Sequence, residues 1–345
     1  MNKNLVIKSK TIAQDNTYEV IDLVSQQAEE LYEILNTNEV RQGSEWSQSQ
    51  KYIDFLEDEK INAMYITYPI LEKVIRVVSE ESYWKLITDR NRGVYSDEII
   101  RQMKDLKIGL YGLSVGSNIA LLCGKTGFGK EYFISDLDKL ETTNLNRVLA
   151  ELTDIGTSKV DFVERKLYGF NPYLVIHKFS EGVQEYNIDA ALNYGNLDFI
   201  VEEIDSFPMK IAVRQFAREH KIPVLMIVDN GEGVVLIVER YDMGYTKIWE
   251  QEDSYWEERL KNLSGPGEFA DIVINHNVGG MEEVDPNMLQ AVPRVIAGEL
   301  VSWPQIGSAA VLGAVIVGYA IKEILGGNLT DGFYRTHINI SDIIK

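Results

Sequence analysis

Residues 106–138 confine the chain to one kind of architecture. LKIGLYG (Leu106–Gly112) is a short apolar run closed by glycine, SVGSNIALLCGKTGFG (114–129) has helical spacing and a glycine stop, and EYFISDLD (131–138) is a second apolar run. Strand, glycine turn, helix and strand within about thirty residues make a βαβ unit, whose parallel strands need a right-handed helical crossover. Apolar runs recur at Leu174–Phe179, Leu197–Glu202 and Pro223–Val228, separated by candidate helices near 158–168 and 207–220. The expected fold class is therefore α/β, a Rossmann-like, doubly wound, mostly parallel sheet. The strand VVLIVER follows directly after Gly233. Beyond it lie a charged aromatic segment (Trp249–Leu260), a polar loop from Asn262 to Arg294 containing Gly265-Pro266-Gly267, and a small-residue helix at 307–325.

The first hundred residues read differently. Val20, Leu23, Val24, Ala28, Leu31 and Leu35 recur at steps of three and four, the spacing of one helix face, and Ile53–Leu56 and Ile70–Trp84 follow suit. This divides the chain into a helical region, 1–104, without catalytic signature, and a nucleotide-binding domain, 105–345. The stretch Ile306–Ile321 is uncharged but interrupted by Gly307, Gly313 and Gly318. It falls short of the ~20 residues that span a bilayer, so a buried helix packed through its small residues is expected.

Acids outnumber bases 53 to 34, for a formal charge of −19. Such a field opposes a nonspecific grip on polyanions, so neither nucleic acid nor a membrane is an expected partner. Cys123, the single cysteine, cannot close an intrachain disulfide or supply a thiolate cluster, and on an apolar helix face it reads as a small core residue. The N-terminal apolar run spans only Leu5–Ile7, too short for a secretory core. The expected location is cytoplasmic. His177, His220, His276 and His337 lie far apart, without the close pairing of a zinc site.

The chemistry-bearing residues follow the first strand. Gly112, Ser114 and Gly116 open a helix where backbone N–H groups can hold a phosphate, although a purely structural turn reads the same. Asp136 ends the second strand, where a carboxylate can accept from ribose hydroxyls. Then come Asp138, Asn144 and Arg147 in DLDKLETTNLNR, Gly156-Thr-Ser-Lys159, Asn171-Pro172, and Asp205 after the fourth strand. Together these resemble the ThiF/MoeB family, the adenylating domain shared with ubiquitin-activating enzymes, over roughly Lys107–Glu239. The pattern departs from the family in three respects. The glycine loop is one residue shorter, with Ser114 in place of a glycine; Val148 stands where the family has glutamine; and the paired CxxC zinc site and thioester-forming cysteine are missing.

The resemblance implies attack of a carboxylate on the α-phosphorus of ATP, giving an acyl-adenylate and pyrophosphate, with Mg2+ as the second cofactor. Both reactants are anionic, so catalysis needs positive charge rather than a base. Arg147 and Lys159 would supply it. Asp205 would ligate the metal, Asn144 would bind a phosphate oxygen, and Asp136 would hold the ribose, with Asp138 beside it. Arg90 and Arg92, just ahead of the first strand, resemble the family's arginine that reaches the triphosphate of the neighbouring subunit, which implies a homodimer. The acceptor would be the C-terminus of a small ubiquitin-like or sulfur-carrier protein, a peptide, or a small carboxylate. Two other readings stay open: an NAD(P)-dependent oxidoreductase using the glycine turn and Asp136, and a catalytically inactive scaffold subunit of a heteromeric activating enzyme.

Overall fold

The computed structural model describes residues 6–14, 16–43, 45–263 and 265–343. The chain divides into two compact units. One comprises residues 1–101 with 125–127 and 167–174, and the other comprises 102–124, 128–166 and 175–345.

The first unit is not the all-helical region expected for 1–104. It carries a four-stranded sheet of β1 (Ile7–Ser9), β2 (Glu19–Asp22), β3 (Met64–Tyr68) and β4 (Lys73–Val77), in the order β1-β3-β4-β2. The helices Val24–Leu35, Gln50–Asn62 and Glu80–Thr88 accompany it. Val20 lies in β2 and is 47% exposed, whereas Val24, Ala28, Leu31 and Tyr32 form the buried face of the first helix. A four-residue strand followed after one residue by a helix mimics helical spacing, because so short a run shows only two steps of its own period. Met64–Tyr68 and Lys73–Val77 pair antiparallel around a turn at Tyr68–Leu71. This is why Ile70–Trp84 is a strand and a helix rather than one helix.

The second unit is the expected α/β layer structure. Its seven strands are β5 (Lys107–Tyr111), β6 (Glu131–Ser135), β7 (Val175–Phe179), β8 (Phe199–Glu202), β9 (Val224–Asn230), β10 (Gly233–Glu239) and β11 (Phe333–Ile338), in the order β11-β10-β9-β8-β5-β6-β7. The pairs from β7 through β9 are parallel, and β10 and β11 are added antiparallel. Strands β8 and β10 are buried along their whole length, the reason they read as unbroken apolar runs rather than alternating ones. The winding reverses at β5, which has β6 on one side and β8 on the other. That reversal opens a crevice at the carboxyl ends of these strands.

Two expectations for this unit change. Residues 262–294 are not a polar loop: helix Pro266–Ile272 runs into a π-helix at Val273–Val278, and a further helix spans Pro286–Ile296. Ile272, Ile274, Val278 and Val284 join Phe207, Met226, Trp249 and Trp256 in one core cluster, so the Gly-Pro-Gly sequence marks a helix start, with Pro266 in its first turn. The helix Gly307–Leu325 is covered on one side only. Gly313 lies against Ile227, and Ala309, Ala314 and Val317 are buried while Val311, Val315 and Tyr319 are exposed.

Beneath the crevice lies a buried ionic cluster. Arg214 is fully buried, with Nε donating to Glu239 (2.6 Å), Nη1 to Glu202 (2.5 Å), and its plane 4.2 Å from the Trp249 ring. Lys210 donates to Glu202 at 3.1 Å. Burial alone would raise the Glu202 carboxyl; Lys210 and Arg214 outweigh it and hold the group below the usual carboxylate range. Two cations and two anions close the cluster without net charge, the condition for burying it.

Candidate active site

At the crevice a cavity of about 640 Å³ is bounded by the ends of β5, β6, β8 and β9, the 144–147 turn, Lys159 and the 269–305 segment. Gly112, Ser114, Asp136, Asp138, Asn144, Arg147, Lys159 and Asp205 all line it. The turn after β5 passes so close to β8 that a Cβ on Gly112 would overlap the Glu203 carbonyl, and Gly112 has φ +90°. Only glycine fits both constraints.

The Asp136 carboxylate accepts from the backbone N–H of Leu113 (2.6 Å) and of Asp138 (2.8 Å), tying the ends of β5 and β6 together. Lys159 Nζ stands 3.6 Å from Asp136 and 3.0 Å from Asp138. Burial still raises the Asp136 carboxyl, against the pull of Lys159 and the two N–H groups. Asp138 is 54% exposed in its side chain, whereas those of Lys159 and Asp136 are 8% exposed. Lys159 therefore neutralises the two aspartates directly.

Arg147 is held from three sides. Its Nε donates to Ser114 Oγ (3.3 Å), and its Nη1 donates to the Thr143 carbonyl and to Asn146 Oδ1 (3.1 Å each). Burial lowers its pKa, opposed by Asp229 and Asp205. The serine that departs from the family's glycine pattern is thus a support for the arginine. Asn144 Oδ1 accepts from the Glu141 N–H at 3.0 Å, closing the turn that precedes Arg147 and leaving its amide donor to the cavity. Asp205 is exposed and makes no hydrogen bond or ion pair among the described residues.

Three sequence expectations fall elsewhere. Gly116 is buried in the first turn of the helix and does not line the cavity; the Glu203 side chain passes beside it. Arg90 and Arg92 belong to the first unit, at a separate cavity formed with Glu33, Arg41, Asp89 and Asp97. Arg90 is 99% exposed in its side chain, and Arg92 pairs with Asp89 at 3.2 Å.

Other residues of the site escaped the sequence reading. Asn118, on the helix after the glycine turn, donates to the Arg147 carbonyl (2.7 Å) and accepts from Leu149 N–H (3.1 Å), so one amide clamps the arginine's backbone. Nothing in an apolar helical pattern marks it. Glu203 accepts from Ile227 N–H at 2.8 Å, bridging β8 and β9 where their pairing has ended, and burial pushes its carboxyl well up. Asp229 lies near the end of β9. Gln305 Nε2 donates to its Oδ2 (3.2 Å), its Oδ1 is buried without a partner, and burial pushes the carboxyl up to about 6. Asp229 does carry a readable signal: like Asp136, it is a carboxylate closing an apolar strand run. Asn277, 3% exposed on the π-helix, has a buried Nδ2 without a partner and also lines the cavity.

The ThiF family profile matches residues 88–285. A Mycobacterium tuberculosis protein described as uncharacterized protein MT1398 is 29% identical over 289 residues, 83% of this chain and 39% of that protein. Ubiquitin-like modifier-activating enzyme 5 of Caenorhabditis briggsae is 27% identical over 154 residues, 41% of this chain and 35% of the enzyme. This chain thus spans about two-fifths or less of either relative. Among solved structures, Escherichia coli MccB with ATP superposes with a TM-score of 0.51 at 14% identity, covering 92% of this chain and 87% of that one. At that identity the likeness speaks for the fold.

Proposed function

Because this chain belongs to the ThiF family, whose profile covers more than half of it, we propose that it adenylates a carboxylate with ATP. The observation that carries the reading is the meeting of Arg147, Lys159, Asp136 and Asp205, drawn from four separate stretches of sequence, in one cavity at the carboxyl edge of the sheet. A dehydrogenase would use the glycine turn, Asp136 and the Lys159 that neutralises it, but has no task for Arg147 and Asp205.

Asp136, already fixed by two backbone donors, presents its carboxylate to the ribose hydroxyls. The helix that begins at Val115 turns its N-terminus toward the cavity, a favourable place for phosphate. Arg147 offers a guanidinium whose position is set by Ser114 and the Thr143 carbonyl. It meets negative charge developing at the α-phosphorus without having to reorganise. The incoming carboxylate is ionised at neutral pH, so no base is needed. Among the described residues no three His, Cys, Asp or Glu side chains gather into a metal cage. A lone accessible Asp205 fits Mg2+, which is held by one or two carboxylates together with phosphate oxygens and water, and the ion would neutralise the departing pyrophosphate. In a homodimer Arg90, exposed on the first unit beside Asp89, would complete the neighbouring site.

Isothermal titration with Mg·ATP tests the reading. Wild type is expected to bind, and Asp205→Ala to bind at least tenfold more weakly with an unchanged melting temperature, since Asp205 is exposed and unpaired. ATP–pyrophosphate exchange should appear once an acceptor carboxylate is supplied. Absent binding by the wild type, or an Asp205→Ala variant that binds Mg·ATP normally, sinks it.

A further inference from the structure

The cavity has two chemical halves. The groups assigned to the nucleotide come from the ends of β5 and β6 and from Arg147, with Asp205 beyond β8, whereas Phe207, Met226, Val228, Phe269, Val273 and Met288 add an apolar lining from the elements beyond β8. Charged groups reach this side only from its edges, Glu203, Asp205 and Lys210 beside β8 and Asp229 on β9, and the π-helix Val273–Val278 packs on β9 and β10. Helices of this kind interrupt regular packing and often mark binding sites.

Two buried polar atoms on this wall have no partner: the acceptor Asp229 Oδ1 and the donor Asn277 Nδ2. Leaving either unsatisfied in a folded protein costs free energy, more so for a group that can be charged. They are not equivalent. One asks for a cationic donor and the other for an acceptor, and Arg147 lies within electrostatic reach of Asp229 without forming an ion pair. A cavity that is apolar apart from a few directed polar groups selects a small molecule by those groups.

Resting on the adenylation reading, we infer that the carboxylate activated here belongs to a small α-amino acid with an apolar side chain, not to a protein tail. Its ammonium is held by Asp229, its carboxylate by Asn277 and Arg147, and its side chain lies among Phe207, Val273 and Met288. A peptide or carrier-protein C-terminus offers Asp229 only a neutral amide N–H and leaves its charge uncompensated. A simple fatty or aromatic acid fills the apolar half but likewise brings no cation. Gln305 completes the recognition by holding the other Asp229 oxygen in place.

The test uses the full chain in ATP–pyrophosphate exchange with leucine, methionine and phenylalanine, with 4-methylpentanoate, 4-(methylsulfanyl)butanoate and 3-phenylpropanoate as their deaminated counterparts, and with a glycine-terminated peptide. At least one apolar amino acid should support exchange with a kcat/KM tenfold or more above its deaminated counterpart. Asp229→Asn should abolish that preference by raising the KM for the amino acid alone. The dissociation constant of Mg·ATP should stay unchanged, and the melting temperature equal or higher, because the substitution removes a buried, half-satisfied acid. Val273→Phe, which fills the apolar half, should shift preference toward smaller side chains, again without altering Mg·ATP binding. Exchange that prefers the deaminated acids or only the peptide overturns the inference while leaving adenylation intact. So does an Asp229→Asn variant whose defect is in Mg·ATP affinity, which would make Asp229 a metal ligand. Wild type that fails to bind Mg·ATP overturns both.

Discussion

Lys159→Met removes the cation that two aspartates share, and its cost should depend on pH in a particular direction. At 3.6 Å and an effective dielectric of about 20, the Lys159–Asp136 attraction is ~5 kcal/mol before the cost of dehydrating both ions. Asp138, half exposed, adds little. Deleting one partner of a buried pair typically costs ~3–5 kcal/mol, because the survivor stays buried and charged. Asp136 retains its two backbone donors, so about 3 kcal/mol is expected at pH 8. In the folded wild type burial already holds Asp136 above its ordinary pKa, above the ~3.9 of an unfolded chain. The folded state therefore binds more protons in the interval between the two values, and stability falls as pH rises through it. Removing Lys159 pushes the folded value further up and widens that interval. The gap between variant and wild type should therefore grow as pH rises above the ordinary carboxylate range, by up to ~1.4 kcal/mol per pH unit while one proton is being released. Urea unfolding at closely spaced pH values, above the sequence pI of 4.7, measures it. Parallel stability curves, or a gap that closes as pH rises, would mean that Lys159 does not sustain the ionised form of Asp136.

Gly112→Ala should lower the melting temperature and weaken Mg·ATP binding together, because its Cβ collides with the Glu203 backbone and its φ is +90°; normal binding would refute the close approach of β5 and β8. Arg214→Met should destabilise by ~3–5 kcal/mol in urea unfolding, since it leaves Glu239 buried without a cation and Glu202 with Lys210 alone. Adding Glu239→Gln, with Glu202 left to Lys210, should recover most of the loss, and failure to recover would place the defect in packing against Trp249 rather than in charge.

The elements legible in the sequence were those whose signals are local. The run Leu106–Asp138 could be a βαβ unit and little else, because glycine at 112 and unbroken apolar runs on both sides of a helical stretch satisfy only that geometry. Asp136 was identifiable by its place at the end of a strand, whereas Arg147, Lys159 and Asp205 were singled out only by the resemblance of their spacing to the ThiF/MoeB motifs. The first hundred residues were misread because four- and five-residue strands are too short to distinguish a period of two from a period near four. The 262–294 segment was misread because a Gly-Pro-Gly that opens a helix resembles one that makes a loop.

Sequence alone determined the order of strands and helices from Leu106 to Glu239, the glycine turn, and which acids and bases were available, since each depends on neighbours within a few residues. The tertiary structure decided which of them meet. It paired Lys159 with Asp136 and Asp138, set Ser114 and Asn118 around Arg147, and brought Asp229 and Asn277, 48 positions apart, onto one cavity wall with buried atoms unsatisfied. Such arrangements follow from the winding of the sheet and the dehydration of groups distant along the chain, and no local pattern records either.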